Sequence, residues 1–214
     1  MKKAKTSLIV FVIIIMVPML LVGCKPEMNS DQSAKVWFNY IVKGDMTNLS
    51  KIGVTKEKAN KLRQTQKVTY KNALKTGFES GNLKIEDKQT EQMYQAYIGG
   101  LDKVSVTTQI VSQTSKYSQV KLKSTYIMNT KADSQKTIAE ATKQVKTLKL
   151  TNEKEYSTKV LKIFINALIK EYKNAKVSNV VKEKTYKFII TDKRWTPQDP
   201  IEFANDVVKT SLGQ

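Results

Sequence analysis

At Gly99-Gly100 the hydrophobic rhythm of the chain changes, and that change constrains the fold more than any other feature of the sequence. Before it, apolar residues recur every three to four positions. Val36, Trp37, Tyr40 and Ile41 form one stripe, Ala59, Leu62, Gln66, Ala73, Leu74 and Phe78 a second, and Met93, Tyr94, Tyr97 and Ile98 a third. That spacing predicts helices burying one face each. After it, Val104, Val106, Thr108 and Ile110 alternate with polar neighbours, and so do Val120, Leu122, Ser124 and Tyr126. A period of two belongs to strands with one wet face, and the polar loop 112–116 between them predicts an antiparallel hairpin.

Local chemistry sets the boundaries. A first helix over 33–43 stops at Gly44-Asp45, and Leu49, Ile52 and Val54 lie in an irregular link with Gly53. Thr55 suits an N-cap with Glu57 in the first turn, and Gly77 and Gly81 bracket the end of that helix. A third helix covers about 86–98, with Gly99-Gly100 as its stop. Residues 131–149 form a polar helix with a thin stripe of Ile138, Ala141, Val145 and Leu148. Residues 152–173 are the most apolar segment beyond the first thirty residues, and this helix is expected to lie across the sheet as the core element. Residues 177–191 supply a third alternating run, with Tyr186, Phe188 and Ile190 on one side. Trp195-Thr196-Pro197 closes the last strand. Asp199-Pro200-Ile201-Glu202 then opens a final helix to about Ser211, with Asp at the cap and Pro at the first helical position. The expectation is one α+β domain over 33–214: N-terminal helices on a curved antiparallel sheet, a two-helix insert at 131–173 and a C-terminal helix.

The start of the chain follows another logic. Lys2, Lys3 and Lys5 precede fifteen uncharged residues, Leu8 to Val22. As a helix these would reach about 22 Å, short of a hydrocarbon core of roughly 30 Å, so the run reads as a secretory signal. It ends in Leu21-Val22-Gly23-Cys24, and Cys24 is the single cysteine of the chain. This stretch resembles the lipobox of bacterial lipoproteins. The resemblance implies cleavage after Gly23, whose small size admits the peptidase, and a diacylglyceryl thioether on the Cys24 sulfur. Two acyl chains hold stably where one does not. Residues 1–23 are thus the expected signal peptide and 24–32 a lipidated tether. The domain would sit on the extracellular face of the cell membrane.

Charge and composition narrow what the domain does. There are 37 Lys+Arg against 19 Asp+Glu, a formal net of +18, and only Arg63 and Arg194 are arginines. Nucleic-acid readers concentrate charge and use arginine forks, so a diffuse lysine coat argues against nucleic acid. It suits an anionic surface, either lipid or an acidic wall polymer. With no histidine, the commonest general base and metal ligand is missing. One cysteine permits neither an intrachain disulfide nor a cysteine metal cluster. No Gly-x-Ser-x-Gly elbow, Walker loop or Gly-x-Gly-x-x-Gly occurs. No metal or cofactor is expected.

The segments Trp37 to Asp45 (WFNYIVKGD), Tyr94 to Leu101 (YQAYIGGL) and Trp195 to Phe203 (WTPQDPIEF) carry a further resemblance. Together with the element order, they look like the small lipoproteins of Gram-positive bacteria that bear an uncharacterised extracellular domain. That resemblance implies a cystatin-like or nuclear-transport-factor-2-like cone. The helices at 131–173 depart from the minimal cone. A cone mouth would gather Tyr94, Tyr97, Tyr186 and Trp195 as a candidate ligand surface for a small molecule or protein. The expected role is a non-catalytic binding or interaction module at the cell envelope. One alternative is an envelope enzyme of atypical type, using Asp199, Glu202, Asp206 or Tyr97. Another makes the signal itself a precursor of a secreted peptide pheromone, as in some enterococcal-type systems, with Val17 to Gly23 (VPMLLVG) as the peptide.

Overall fold

A computed structural model describes residues 26–128, 131–149 and 152–214. Residues 1–23, the expected signal peptide, and Cys24 lie outside the described residues. Among the described residues, no helix is long and apolar enough to cross a membrane.

Helix α1 (Ser30–Phe38) continues as a π-helical turn, Asn39–Lys43, and stops at Gly44, whose φ of 72° only glycine adopts freely. A short 3₁₀ turn, Leu49–Ile52, leads to α2 (Lys56–Glu79), capped by the Thr55 hydroxyl, which accepts from the Lys58 N–H. Next come α3 (Asp87–Leu101), β1 (Val106–Gln113), β2 (Tyr117–Ser124) and β3 (Ile127–Met128). The chain then makes α4 (Lys131–Lys146) and α5 (Glu153–Lys173). It returns through β4 (Lys176–Val177), β5 (Lys182–Thr191), β6 (Arg194–Pro197) and α6 (Pro200–Ser211). The protein is α+β, with helices before the sheet and a helix after it. Four antiparallel strands lie in the order β1-β2-β5-β6, with a bulge between Ile110 and Ser112, and β3 pairs with β4 in a separate ladder.

Alternation decides which sheet face is buried. Ser118, Val120, Leu122 and Ser124 of β2 point inward, and so do Tyr186 and Phe188 of β5. Helix α1 covers this face, bringing Trp37 and Phe38 into the main core, and α6 adds Phe203, Ala204 and Val207. The Phe203 ring meets Tyr186 and Phe188 edge-on, at 4.8 and 5.7 Å between centroids. At the start of α1, the buried Ser30 Oγ lies 2.7 Å from Ser118 Oγ and donates to Gln113 Oε1 at 3.1 Å. The helix therefore opens inside the stretch read as tether, and its first turn is fastened to the β1–β2 hairpin.

Two expectations are corrected. The apolar helix α5 does not lie across the sheet. It packs on α3 and α4, and closes a second core of Tyr70, Ile85, Met93, Tyr94, Leu161 and Ile165. The sheet is already covered by α1 and α6, so the α5 stripe buries itself against helices. Nor do Gly99-Gly100 end α3, which runs to Leu101. A Cβ on Gly100 would lie 3.2 Å from the Tyr172 carbonyl oxygen, so this glycine serves the close crossing of α3 and α5.

Candidate functional site

Against the second core lies a cluster of tyrosines that three helices deliver to one place. Tyr70 comes from α2, Tyr94 and Tyr97 from one face of α3, three residues apart, and Tyr172 from the end of α5. Tyr70 and Tyr97 stack at 4.8 Å with 17° between planes. Tyr94 tilts against Tyr70 at 5.7 Å, and Tyr172 meets Tyr97 edge-on at 5.7 Å. These are the offset and edge geometries that ring quadrupoles favour.

Arg63 of α2 closes the outer side of this cluster. Its Nη1 donates to Gln66 Oε1 at 3.4 Å, and its guanidinium lies over Gly44. Behind it is a space of about 40 Å³ bounded by Tyr70, Tyr94, Tyr97, Ile41 and Leu101. That is room for a water or two, not for an organic ligand. Outside it, an open groove of about 450 Å³ runs past Asn60, Gln64, Lys67 and Gln95. Lys67 sits 5.9 Å from the Tyr94 ring centroid and forms an ion pair with Glu91 at 2.7 Å.

The electrostatics define what the phenols can do. Burial pushes Tyr70 and Tyr97 well above the ordinary phenol range and also raises Tyr172. Tyr94 is also raised by burial, against an opposing pull from Arg63 and Lys67. Tyr40 is pushed up to about 12 by burial, again with Arg63 opposing, and its hydroxyl donates to the Ala59 carbonyl at 3.4 Å. All these groups stay protonated at neutral pH. They offer ring faces and O–H donors, not a phenolate base or nucleophile.

The four aromatics expected to share a cone mouth divide between two places. Tyr94 and Tyr97 sit in the tyrosine cluster. Tyr186 and Trp195 belong to the main core under the sheet, Tyr186 against Phe203. The carboxylates of the last helix also have ordinary work. Asp199 Oδ1 accepts from the N–H groups of Ile201 and Glu202 at 3.1 and 2.8 Å, as an N-cap. Lys184 bridges Glu202, at 3.4 Å, and Asp206, and these partners hold its ammonium pKa above the ordinary value, Asp206 foremost. No cluster of three or more metal-ligating side chains occurs among the described residues.

Sequence reasoning missed Tyr70, Tyr172 and Arg63 as parts of one site. The available signals were Tyr70 one turn beyond Gln66 on the α2 stripe, and Arg63 as one of two arginines in a lysine-rich chain. A second depression, about 470 Å³, lies between α4 and α5, lined by Lys136, Glu140, Gln144, Asn166, Lys170 and Asn174. It is open, and Ala141, Ile163 and Ala167 make its lining nearly as apolar as it is polar.

Among solved structures, the fold is similar to that of ycdA from Bacillus subtilis subsp. subtilis str. 168, a presumed lipoprotein. The TM-score is 0.63 at 13% identity, covering 86% of this chain and 56% of that one. The present chain thus spans little more than half of that neighbour's length, and the likeness is one of fold. No protein-family model and no curated protein matches the sequence.

Proposed function

We propose that this chain is a membrane-anchored bacterial lipoprotein of the extracellular face, whose domain is a non-catalytic binding or interaction module. The observation that carries the reading is the position of the single cysteine. Cys24 ends the apolar run and stands just ahead of Ser30, where the fold begins. A thiol six residues ahead of the first helix is well sited to moor the domain. The fold shared with a presumed lipoprotein agrees with this. The non-catalytic part rests on chemistry. The chain has no histidine, its clustered phenols are held protonated, and its C-terminal carboxylates cap a helix or pair with Lys184.

The filled tyrosine core and the groove outside Arg63 favour recognition at a surface over enclosure of a small molecule. The cone-like fold and Gram-positive origin belong to the same proposal, as does the absence of a cofactor. Intact mass of the membrane-extracted protein tests the anchor. A species starting at Cys24 with a diacylglyceryl increment is expected, and Cys24→Ala should leave the protein unprocessed and without lipid. Retention of residues 1–23 on an unmodified thiol would overturn it. Crosslinking in intact cells followed by purification tests the module. No enrichment over a charge-matched control protein would count against binding.

A further inference from the structure

We infer that one particular end of the sheet, the end bearing the β1–β2 and β5–β6 turns, is the surface that faces the lipid bilayer. This rests on the anchor proposed above and adds an orientation that an anchor alone does not fix.

The argument is one of reach. From Cys24 to Ser30 the chain advances six residues, so even fully extended it spans only about 20 Å. Ser30 is not free to wander. Its hydroxyl is held against Ser118 and Gln113, so the start of α1 is fixed beside the β1–β2 turn. The pairing of Tyr117 with Ile189 puts the end of β5, and with it the turn into β6, at this same end. The opposite end of the sheet, where Ser124 pairs with Lys182, lies the length of β5 away. Ten residues of strand are roughly 33 Å, longer than the leash. The far end cannot touch the bilayer while the near end stands off, unless the domain lies flat.

The near end is equipped for a phospholipid surface. Its turns carry Thr114, Ser115 and Lys116, and Asp192 with Lys193. Tyr117 is partly exposed, with the Lys187 ammonium 4.9 Å from its ring centroid, and Val111 at the bulge is 56% exposed. An aromatic flanked by lysines suits the headgroup zone, with an apolar body and a charged tip. Glu27, Asp31 and Asp192 share this end and temper its charge. The larger bias comes from the whole processed chain, which keeps 34 basic against 19 acidic residues once Lys2, Lys3 and Lys5 are removed, a net of +15. Such a body is drawn toward anionic lipid. The far end presents Val180, 67% exposed, and the α4–α5 pair, which leaves and rejoins the sheet there through β3 and β4. The groove between α4 and α5 is thereby presented away from the bilayer.

The test uses the full lipidated protein in vesicles, with a fluorophore on Ser115→Cys or on Val180→Cys. Acylation blocks Cys24, so the introduced thiol alone should label. With a headgroup-attached quencher in phosphatidylglycerol vesicles, quenching at position 115 should exceed that at 180 several-fold. It should fall at least twofold on phosphatidylcholine, or when Lys116, Lys187 and Lys193 are all changed to Gln, with circular dichroism unaltered. Equal quenching at both positions, stronger quenching at 180, or indifference to lipid charge and to the lysines would overturn the assignment. So would retention of the domain on isolated cell wall with no quenching at 115. A protein that labels at Cys24 and does not float with vesicles would instead refute the anchor, and this orientation with it.

Discussion

The guanidinium of Arg63 lies over the α-carbon of Gly44, so close that a Cβ on that glycine would come within 2.1 Å of two of its atoms. Gly44 ends the π-helical turn with φ at 72°, and Arg63 rises from α2 to cover it. The other arginine repeats the arrangement. Arg194 packs over Gly53, φ 80°, with its Cδ 3.1 Å from where a Cβ would be. Each arginine of this lysine-dominated chain thus closes a left-handed turn that a side chain would block.

Gly44→Ala should therefore cost about 1–2 kcal/mol from the left-handed backbone alone, with an added steric term from Arg63. Arg63→Ala in the same molecule should recover the steric part and leave the backbone part. Denaturant unfolding of the two single variants and the double variant would show this as coupling between the sites. Strictly additive losses would mean that the guanidinium swings clear at no cost.

Adjacent glycines of α3 should respond with opposite signs. A Cβ on Gly99 meets nothing within 4 Å, so Gly99→Ala should stabilise the helix by up to about 1 kcal/mol. Gly100→Val should destabilise by about 1–3 kcal/mol, because α5 must shift away from the Tyr172 carbonyl. Thermal melts of the two variants check the sign of each.

Asp199 separates a structural carboxylate from a chemical one. Asp199→Ala removes the acceptor for two helix N–H groups and should cost about 1 kcal/mol, whereas Asp199→Asn still caps and should lose little. Unfolding free energies of the pair provide the comparison. A catalytic carboxylate would instead be disabled equally by both changes.

Stability should fall in alkali. Tyr40, Tyr70, Tyr94, Tyr97, Tyr172 and Tyr186 all have folded pKa values raised by burial above the ordinary phenol value of about 10. Above pH 10 the unfolded chain releases these protons while the folded chain keeps them. The unfolded state then binds fewer protons, so the unfolding free energy declines as pH rises. The stabilisation is full below pH 10; the share of Tyr40 is lost as pH rises through about 12, and that of Tyr70, Tyr97 and Tyr186, raised further by burial, is lost only beyond it. Tyrosinate absorbance should lag behind that of free tyrosine and then rise together with loss of helical circular dichroism. A smooth titration at pH 10 in the still-folded protein would contradict the burial of these rings.

Local signals in the sequence read well where the physics is local. Thr55 and Asp199-Pro200 mark helix starts because a hydroxyl or carboxylate must meet N–H groups a few residues away. Gly44 marks a stop because φ there is positive. The hairpin of β1 and β2 follows from alternation. What an amphipathic stripe cannot say is which surface it covers. Leu161 and Ile165 advertise a buried face, and nothing in their spacing distinguishes the sheet from α3. From sequence Gly100 reads as a terminator, because the residue that explains it, Tyr172, is far off in the chain. The tyrosine cluster was hidden for the same reason, since positions 70, 97 and 172 converge only in three dimensions. Trp195 and Tyr186 share its chemical type, yet both are interior residues of the sheet layer.

The small β3–β4 ladder has one more implication. Ile127 sits opposite Val177 and Met128 opposite Lys176, so the stretch carrying α4 and α5 departs and returns at hydrogen-bonded neighbours. Closing such a loop costs little more as it grows, because the entropy rises only with the logarithm of its length. The register of the main sheet is therefore insulated from whatever is spliced between those two pairs. Relatives of this architecture are free to lengthen, shorten or replace the helical hairpin without renegotiating a single strand pairing of the main sheet.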